Sequence, residues 1–250
     1  MNALILAAGY ATRLYPLTKD FPKPLLDVGE RTILDHLVDQ MDGIVALKRI
    51  VLITNRRFRP LFENWRAGRR GGKPVEILDD GTTSNEERLG AIGDLRFALE
   101  HSDLDDDLLV AAADNILRFP LAEFVAAFLA RPASHLGVHH IEDMERLRRT
   151  GVAVLDAEDR VLAFTEKPST PKTQWAVPPL YLFPRATLAR VGKYLSQGGS
   201  PEAPGNFIEW LCRREPVFAY RIAGSILDIG TPQSLESARR LFGGFVGRVP

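Results

Sequence analysis

Through the first half of the chain, short uninterrupted apolar runs alternate with stretches whose apolar positions recur every three or four residues. The runs at 2–8, 49–54, 75–78 and 108–113 suit strands buried on both faces. Between them, 32–41, 59–67, 87–100 and 121–129 carry helical spacing, and Phe119-Pro120 opens the last of these with a proline near its first turn. This alternation predicts a mostly parallel sheet with right-handed crossovers. The second half is more mixed. A strand is expected over 134–141, and 151–155 and 160–166 flank the polar turn 156–159 as an antiparallel hairpin. A strand over 176–183, helices near 185–195 and 206–214, strands at 217–222 and 225–229, and a last helix from Pro232 to Leu241 follow. No repeat or linker divides the chain, so 1–250 is read as one α/β domain.

Composition narrows the function classes. Thirty-two basic residues balance 32 acidic ones, so no global field draws the protein to nucleic acid or an anionic membrane. The basic run at 66–70 sits among glycines and reads as a solvated loop, and the acidic run Asp105-Asp106-Asp107 as a solvated turn. The lone Cys212 excludes an intrachain disulfide and reads as a small buried hydrophobe on a helix. The apolar opening lacks a basic leader and ends at Gly9, and no run approaches the roughly 20 apolar residues of a membrane span. The expected location is cytoplasmic, with no membrane partner.

The chemistry begins at the end of the first strand. Small residues at Ala7, Ala8, Gly9 and Ala11 let a phosphate or base approach the backbone closely. The following segment, with prolines at 16, 22 and 24, reads as a long extended loop offering Arg13 and Lys23. It lacks the Gly-Lys-Ser/Thr of a Walker loop, and its prolines prevent the immediate helix of a dinucleotide fingerprint.

Ala7-Ala8-Gly9-Tyr10-Ala11-Thr12-Arg13-Leu14, followed by Pro22-Lys23-Pro24-Leu25, resembles the signature of sugar-phosphate nucleotidyltransferases, with Ala11 where the family has its second glycine. The resemblance implies a Rossmann-like fold of the nucleotide-diphospho-sugar transferase type. A mixed, mainly parallel sheet is flanked by helices, with a small antiparallel acceptor-binding lobe. It makes 1–130 mainly the nucleotide half and 131–250 mainly the acceptor half. It implies Arg13 on the departing pyrophosphate, Lys23 on the α-phosphate, and Ala7, Ala8, Gly9 and Thr12 around the nucleotide.

Phosphoryl chemistry needs charge neutralised on the attacked and leaving groups, and Mg²⁺ is commonly held by one or two carboxylates plus substrate phosphates. Asp114 ends a buried strand, before Asn115, and Asp228 stands in Leu227-Asp228-Ile229-Gly230-Thr231-Pro232. Either alone could cap a turn; the resemblance makes the pair the Mg²⁺ ligands. Leu89-Gly90-Ala91-Ile92-Gly93, expected on a helix, resembles the family's segment near base and ribose, which brings in Asn85 and Gly90. Glu166-Lys167-Pro168 and Gly151 resemble its sugar-phosphate side, with Asn115 also on the acceptor. Pro178-Pro179 departs from the family's Thr-Gly and removes two backbone donors, pointing to an unusual sugar or a cyclitol phosphate. His139 and His140 are neighbours on a strand, face opposite ways, and read as structural.

The expected activity joins a nucleoside triphosphate to a sugar 1-phosphate, giving an NDP-sugar and pyrophosphate; a homo-oligomer is left open. Two alternatives stand beside it: a cytidylyltransferase for phosphocholine or another small phosphorylated alcohol, and a non-catalytic nucleotide sensor.

Overall fold

The computed structural model describes residues 1–243. In the first half the strands are β1 (Asn2–Leu6), β2 (Asp27–Val28), β3 (Arg31–Thr32), β4 (Ile50–Thr54), β5 (Val75–Asp79), β6 (Leu108–Ala112) and β7 (Asn115–Arg118). Helices α1 (Ile33–Asp42), α2 (Arg59–Gly68), α3 (Ala91–His101) and α4 (Leu121–Ala130) connect them. The second half adds β8 (Ser134–His140), β9 (Gly151–Leu155), β10 (Val161–Glu166), β11 (Trp175–Val177), β12 (Leu180–Phe183), β13 (Val217–Arg221) and β14 (Ser225–Asp228). Its helices are α5 (Met144–Leu147), α6 (Arg185–Ser196), α7 (Pro204–Cys212) and α8 (Pro232–Leu241).

One large sheet runs in the order β10-β9-β11-β8-β12-β6-β1-β4-β5, with β13 added to β8. The block β6-β1-β4-β5 is parallel, as the buried runs predict. Alternate residues of β1 divide between two cores. Ala3 and Ile5 pack with α1, α2 and α4, while Leu4 packs with α3, α6 and α7. Each fully buried Leu, Ile or Phe here contributes about 1.5–3 kcal/mol. The expected antiparallel hairpin is β9 with β10, and with β8, β11 and β12 it continues this same sheet antiparallel on the other side of β6.

The departures from the sequence reading have local causes. The run at 176–183 splits into β11 and β12, because Pro178 and Pro179 have no N–H for a ladder. The helix expected from residue 87 begins at Ala91; Gly90 precedes it at φ 77°, a left-handed conformation, so this glycine is not inside a helix. The loop from Thr12 to Leu25 is not extended throughout. It folds into 3₁₀ turns at Thr12–Leu14 and Lys23–Leu25, the second with Pro24 in its first turn. The acidic run is more than a solvated turn: Asp106 meets Lys48 at 2.7 Å and the N-terminal amine at 3.1 Å. Those partners, Lys48 foremost, hold its carboxyl near 2. Cys212 is half-buried, and burial pushes its thiol up to about 12, as an inert side chain requires.

Candidate active site

Two cavities open along the carboxyl edge of the parallel strands, the edge where ligands of open α/β sheets bind. The smaller, about 360 Å³, is bounded by Ala7, Ala8 and Gly9 after β1, by Lys23, by Gly90, Ala91 and Asp94 at the start of α3, and by Asp114 after β6. The turn after β1 is pinned: Ala7 N–H donates to Ile53 O at 2.9 Å, and Asn55 Nδ2 donates to Ala8 O at 2.9 Å. Ala11 sits at φ 48°, ψ 42°, left-handed for a residue with a Cβ, and Thr18 Oγ1 donates to its carbonyl at 2.8 Å. This conformation costs about 1–2 kcal/mol in a non-glycine residue and turns the chain so that Arg13 faces the cavities.

The larger cavity, about 620 Å³, is walled mainly by the second half of the chain. Arg13, Asp114, Pro179, Glu202 and Pro204 belong to the walls of both, so the two form one continuous cleft. Gly151 on β9 and Gly205 on α7 flank Glu166. A Cβ at Gly151 would stand 3.2 Å from Glu166 Oε2, and one at Gly205 would overlap that oxygen. Burial, partly offset by Lys167, raises the Glu166 carboxyl above its ordinary value. Lys167 is itself left-handed at φ 46°, and its N–H donates to Thr150 O at 3.2 Å.

At the junction, Lys23 Nζ donates to Asp114 Oδ2 at 2.6 Å, and Asn115 Nδ2 donates to Asp114 Oδ1 at 2.8 Å. The unforeseen pairing of β14 with β7 sets Asp228 opposite Asn115, and Ile229 N–H donates to Asp114 O at 3.1 Å. This brings the two aspartates together from residues 114 apart in the chain. Asp228 opens to solvent through the cleft, yet the surrounding walls strip water from it and raise its carboxyl; Asp114 adds to the rise, against Lys23 and Arg13.

Of the residues anticipated from sequence, Ala7, Ala8, Gly9, Lys23 and Gly90 line the smaller cavity, and Asn115, Gly151, Glu166, Lys167 and Asp228 the larger; Arg13 and Asp114 line both. Thr12 and Asn85 lie in 3₁₀ turns outside both walls. His139, read as structural, does line the larger cavity, and its exposed neighbour His140 packs edge-on to Trp175 instead. Arg146, on the unpredicted α5, Arg149 just beyond it, and Tyr181 join it there. The backbone N–H groups that open α3 are not free for phosphate: Ala91 donates to Glu202 O and Ile92 to Pro201 O. Arg88 and Glu202 form an ion pair at 3.0 Å over the same cavity.

Residues 2–242 match the family model of nucleotidyl transferases. The chain belongs to the nucleotidyl transferase family. This nucleotidyl transferase is 27% identical over 241 residues to the UTP–glucose-1-phosphate uridylyltransferase AglF of Haloferax volcanii, covering 96% of each chain. It is 26% identical over 242 residues to the bifunctional protein GlmU of Methanocaldococcus jannaschii, covering 96% of this chain but spanning only about half (54%) of that relative. Its fold superposes on a crystal structure of UDP-glucose pyrophosphorylase complexed with UDP-glucose, with TM-score 0.80 at 16% identity, covering 96% of this chain and 97% of that one. Among the described residues, no helix is long and apolar enough to cross a membrane.

The donor set at the junction fits a hard divalent cation. Asp114 and Asp228 stand in the wall of one cavity, and no group of three or more acidic, imidazole or thiol side chains is found among the described residues, which leaves coordination for substrate oxygens and water.

Proposed function

We propose that this nucleotidyl transferase joins a nucleoside triphosphate to a sugar 1-phosphate or cyclitol phosphate, giving a nucleoside-diphosphate conjugate and pyrophosphate. One observation carries the reading: Arg13 and Asp114 stand in the walls of both cavities, where two anionic substrates would meet. An oxygen of the acceptor phosphate attacks the α-phosphorus, the bond to the bridging oxygen breaks, and its electron pair leaves with pyrophosphate. The attacking oxygen is already anionic, so no general base is required. Lys23 holds the α-phosphate, and Arg13 faces the charge that develops on the leaving group. Glu166 accepts hydrogen bonds from acceptor hydroxyls, and Lys167 binds its phosphate as a point charge. Asp114 and Asp228 would hold Mg²⁺, which when bound neutralises phosphate charge.

Of the described residues, those before 131 line most of the smaller cavity, read as the nucleotide side, and those after it line most of the larger, read as the acceptor side. A screen of nucleoside triphosphates against sugar 1-phosphates, cyclitol phosphates and phosphocholine, read by pyrophosphate release with and without Mg²⁺, tests the proposal. Release with a sugar or cyclitol phosphate supports it. Release with phosphocholine alone, or with nothing, overturns it.

A further inference from the structure

Asp80 follows β5 and Asp94 lies in the first turn of α3; they are 6% and 7% exposed. Asp80 Oδ1 accepts from Thr82 N–H at 2.7 Å and from Thr82 Oγ1 at 2.8 Å. Asp80 Oδ2 and Asp94 Oδ1, both buried, meet no donor among the described residues. The two carboxyls lie within hydrogen-bonding reach of each other. Two buried carboxylates that close cannot both be charged, and one proton between them satisfies both orphaned oxygens. Asp80 already collects two donors and is the better anion, so the proton resides on Asp94 and is donated to Asp80. The remaining oxygen of Asp94 is then an uncharged acceptor.

Asp94 also lines the nucleotide cavity, whose walls combine small and apolar residues, among them Leu6, Ala8, Gly90 and Ala91, with the cations Arg13 and Lys23. Triphosphate belongs with the cations, which leaves the small, apolar part of the lining for the nucleoside. We propose that Asp94, kept neutral by the proton it shares with Asp80, is a specificity-determining residue that accepts an N–H from the edge of the nucleobase. The inference rests on the nucleotide reading of this cavity given above.

The neighbouring charged groups are already paired with one another. Arg88 is paired with Glu202, Lys23 with Asp114, and Asp79 with Arg56 and Arg59; Glu87 accepts from Thr83. Tyr10 shares a hydrogen bond with Thr82 Oγ1 at 3.3 Å, linking the pair to the phosphate loop. Burial first, then the charge of Asp80, pushes the Asp94 carboxyl up to about 8, consistent with a neutral acid at pH 7.

The test is calorimetric titration of nucleoside triphosphates into the full chain, on either side of pH 8, together with steady-state KM values for both substrates. Wild type is expected to gain up to roughly tenfold in triphosphate affinity as the shared proton leaves, because a carboxylate accepts the base N–H more strongly than a neutral acid does. Asp94→Asn, whose amide donates to Asp80 and keeps a carbonyl toward the base, is expected to hold its affinity across that range. Asp94→Ala is expected to lose roughly tenfold at pH 7 and to blur discrimination among triphosphates, with the acceptor KM unmoved. Retained selectivity in Asp94→Ala, or one pH profile shared by wild type and Asp94→Asn, overturns the inference alone. Wild type that binds no triphosphate overturns the nucleotide reading and this inference with it. If Asp94→Ala fails to fold, the comparison of wild type with Asp94→Asn still decides.

Discussion

Lys23 and Asp114, 91 residues apart, meet at 2.6 Å at the junction of the two cavities, with Lys23 only 8% exposed. A buried ammonium needs a partner, and this one ties the phosphate loop to the end of β6. Lys23→Ala is expected to lower turnover by on the order of 10²–10³, the usual loss for one electrostatic stabiliser of phosphoryl or acyl transfer. It also strips Asp114 of a charge-assisted hydrogen bond, so thermal unfolding should report a loss of about 1–3 kcal/mol. Unchanged kcat in a folded variant sinks the role assigned to Lys23.

The two aspartates give a second prediction. A chelator is expected to abolish turnover and added Mg²⁺ to restore it. Asp228→Asn should raise the Mg²⁺ concentration for half-maximal rate by about tenfold or more, since half of a two-carboxylate site is lost. The assay is initial rate against free Mg²⁺ for both proteins; coincident curves would remove Asp228 from the metal site.

Much of this site was legible because its chemistry sits where strands end. The buried runs of β1 and β6 locate Ala7–Gly9 and Asp114 at the ligand edge without any knowledge of the other strands. The missing parts depend on packing that no local pattern encodes. Arg146 lies on a single turn of helix, too short for an amphipathic period, with Arg149 just beyond it, and β7 is only four residues long. Asp94 sits where a helix pattern allows any first-turn acid, and only the fold brings Asp80 against it. His139 alternates with His140 as a strand requires, but which of the two faces the cavity depends on the placement of β11 beside β8.

Gly90 offers a prediction about the nucleotide wall. At φ 77° its conformation suits glycine, and a Cβ there would stand 2.5 Å from Pro201 O and 2.8 Å from Pro201 C. The obstacle is backbone, which cannot swing aside as a side chain can. Gly90→Ala is expected to cost about 2–4 kcal/mol in unfolding free energy, left-handed strain and overlap together. Triphosphate affinity should fall with it, because the same contact sets the loop carrying Glu202. Denaturant unfolding and nucleotide titration together check this; a variant as stable as wild type contradicts it.

His139 makes stability depend on pH in a defined window. Burial, with Arg146 adding to it, lowers its pKa from 6.5 to about 4. Between those values the unfolded chain binds the proton and the folded chain does not, so stability rises with pH. The contribution is fully present above the unfolded value and is lost as pH falls from about 6.5 toward 4. One such group gives a slope of up to about 1.4 kcal/mol per pH unit. His139→Asn removes the titration, so the difference in unfolding midpoint between wild type and variant should shrink as pH falls through this window. A constant difference would show that His139 titrates alike in both states.

Gly205 separates the two substrates. It lies in the first turn of α7, against the β10 residues Phe164 and Glu166. A Cβ there would overlap Glu166 Oε2 and stand 2.9 Å from Phe164 Cε1. The carboxylate is the far end of a flexible chain, so the variant should fold by displacing Glu166 from its place in the acceptor wall. Gly205→Ala is therefore expected to raise the acceptor KM by about tenfold, the equivalent of one hydrogen bond to a charged group, while leaving triphosphate affinity within about threefold. Glu166→Gln, which stays in place but loses the charge, should have a smaller effect on the same constant. The measurement is a matrix of KM values for both substrates in the three proteins. Equal losses for acceptor and triphosphate in Gly205→Ala would mean that α7 supports the whole cleft, and that Glu166 does not define the acceptor side.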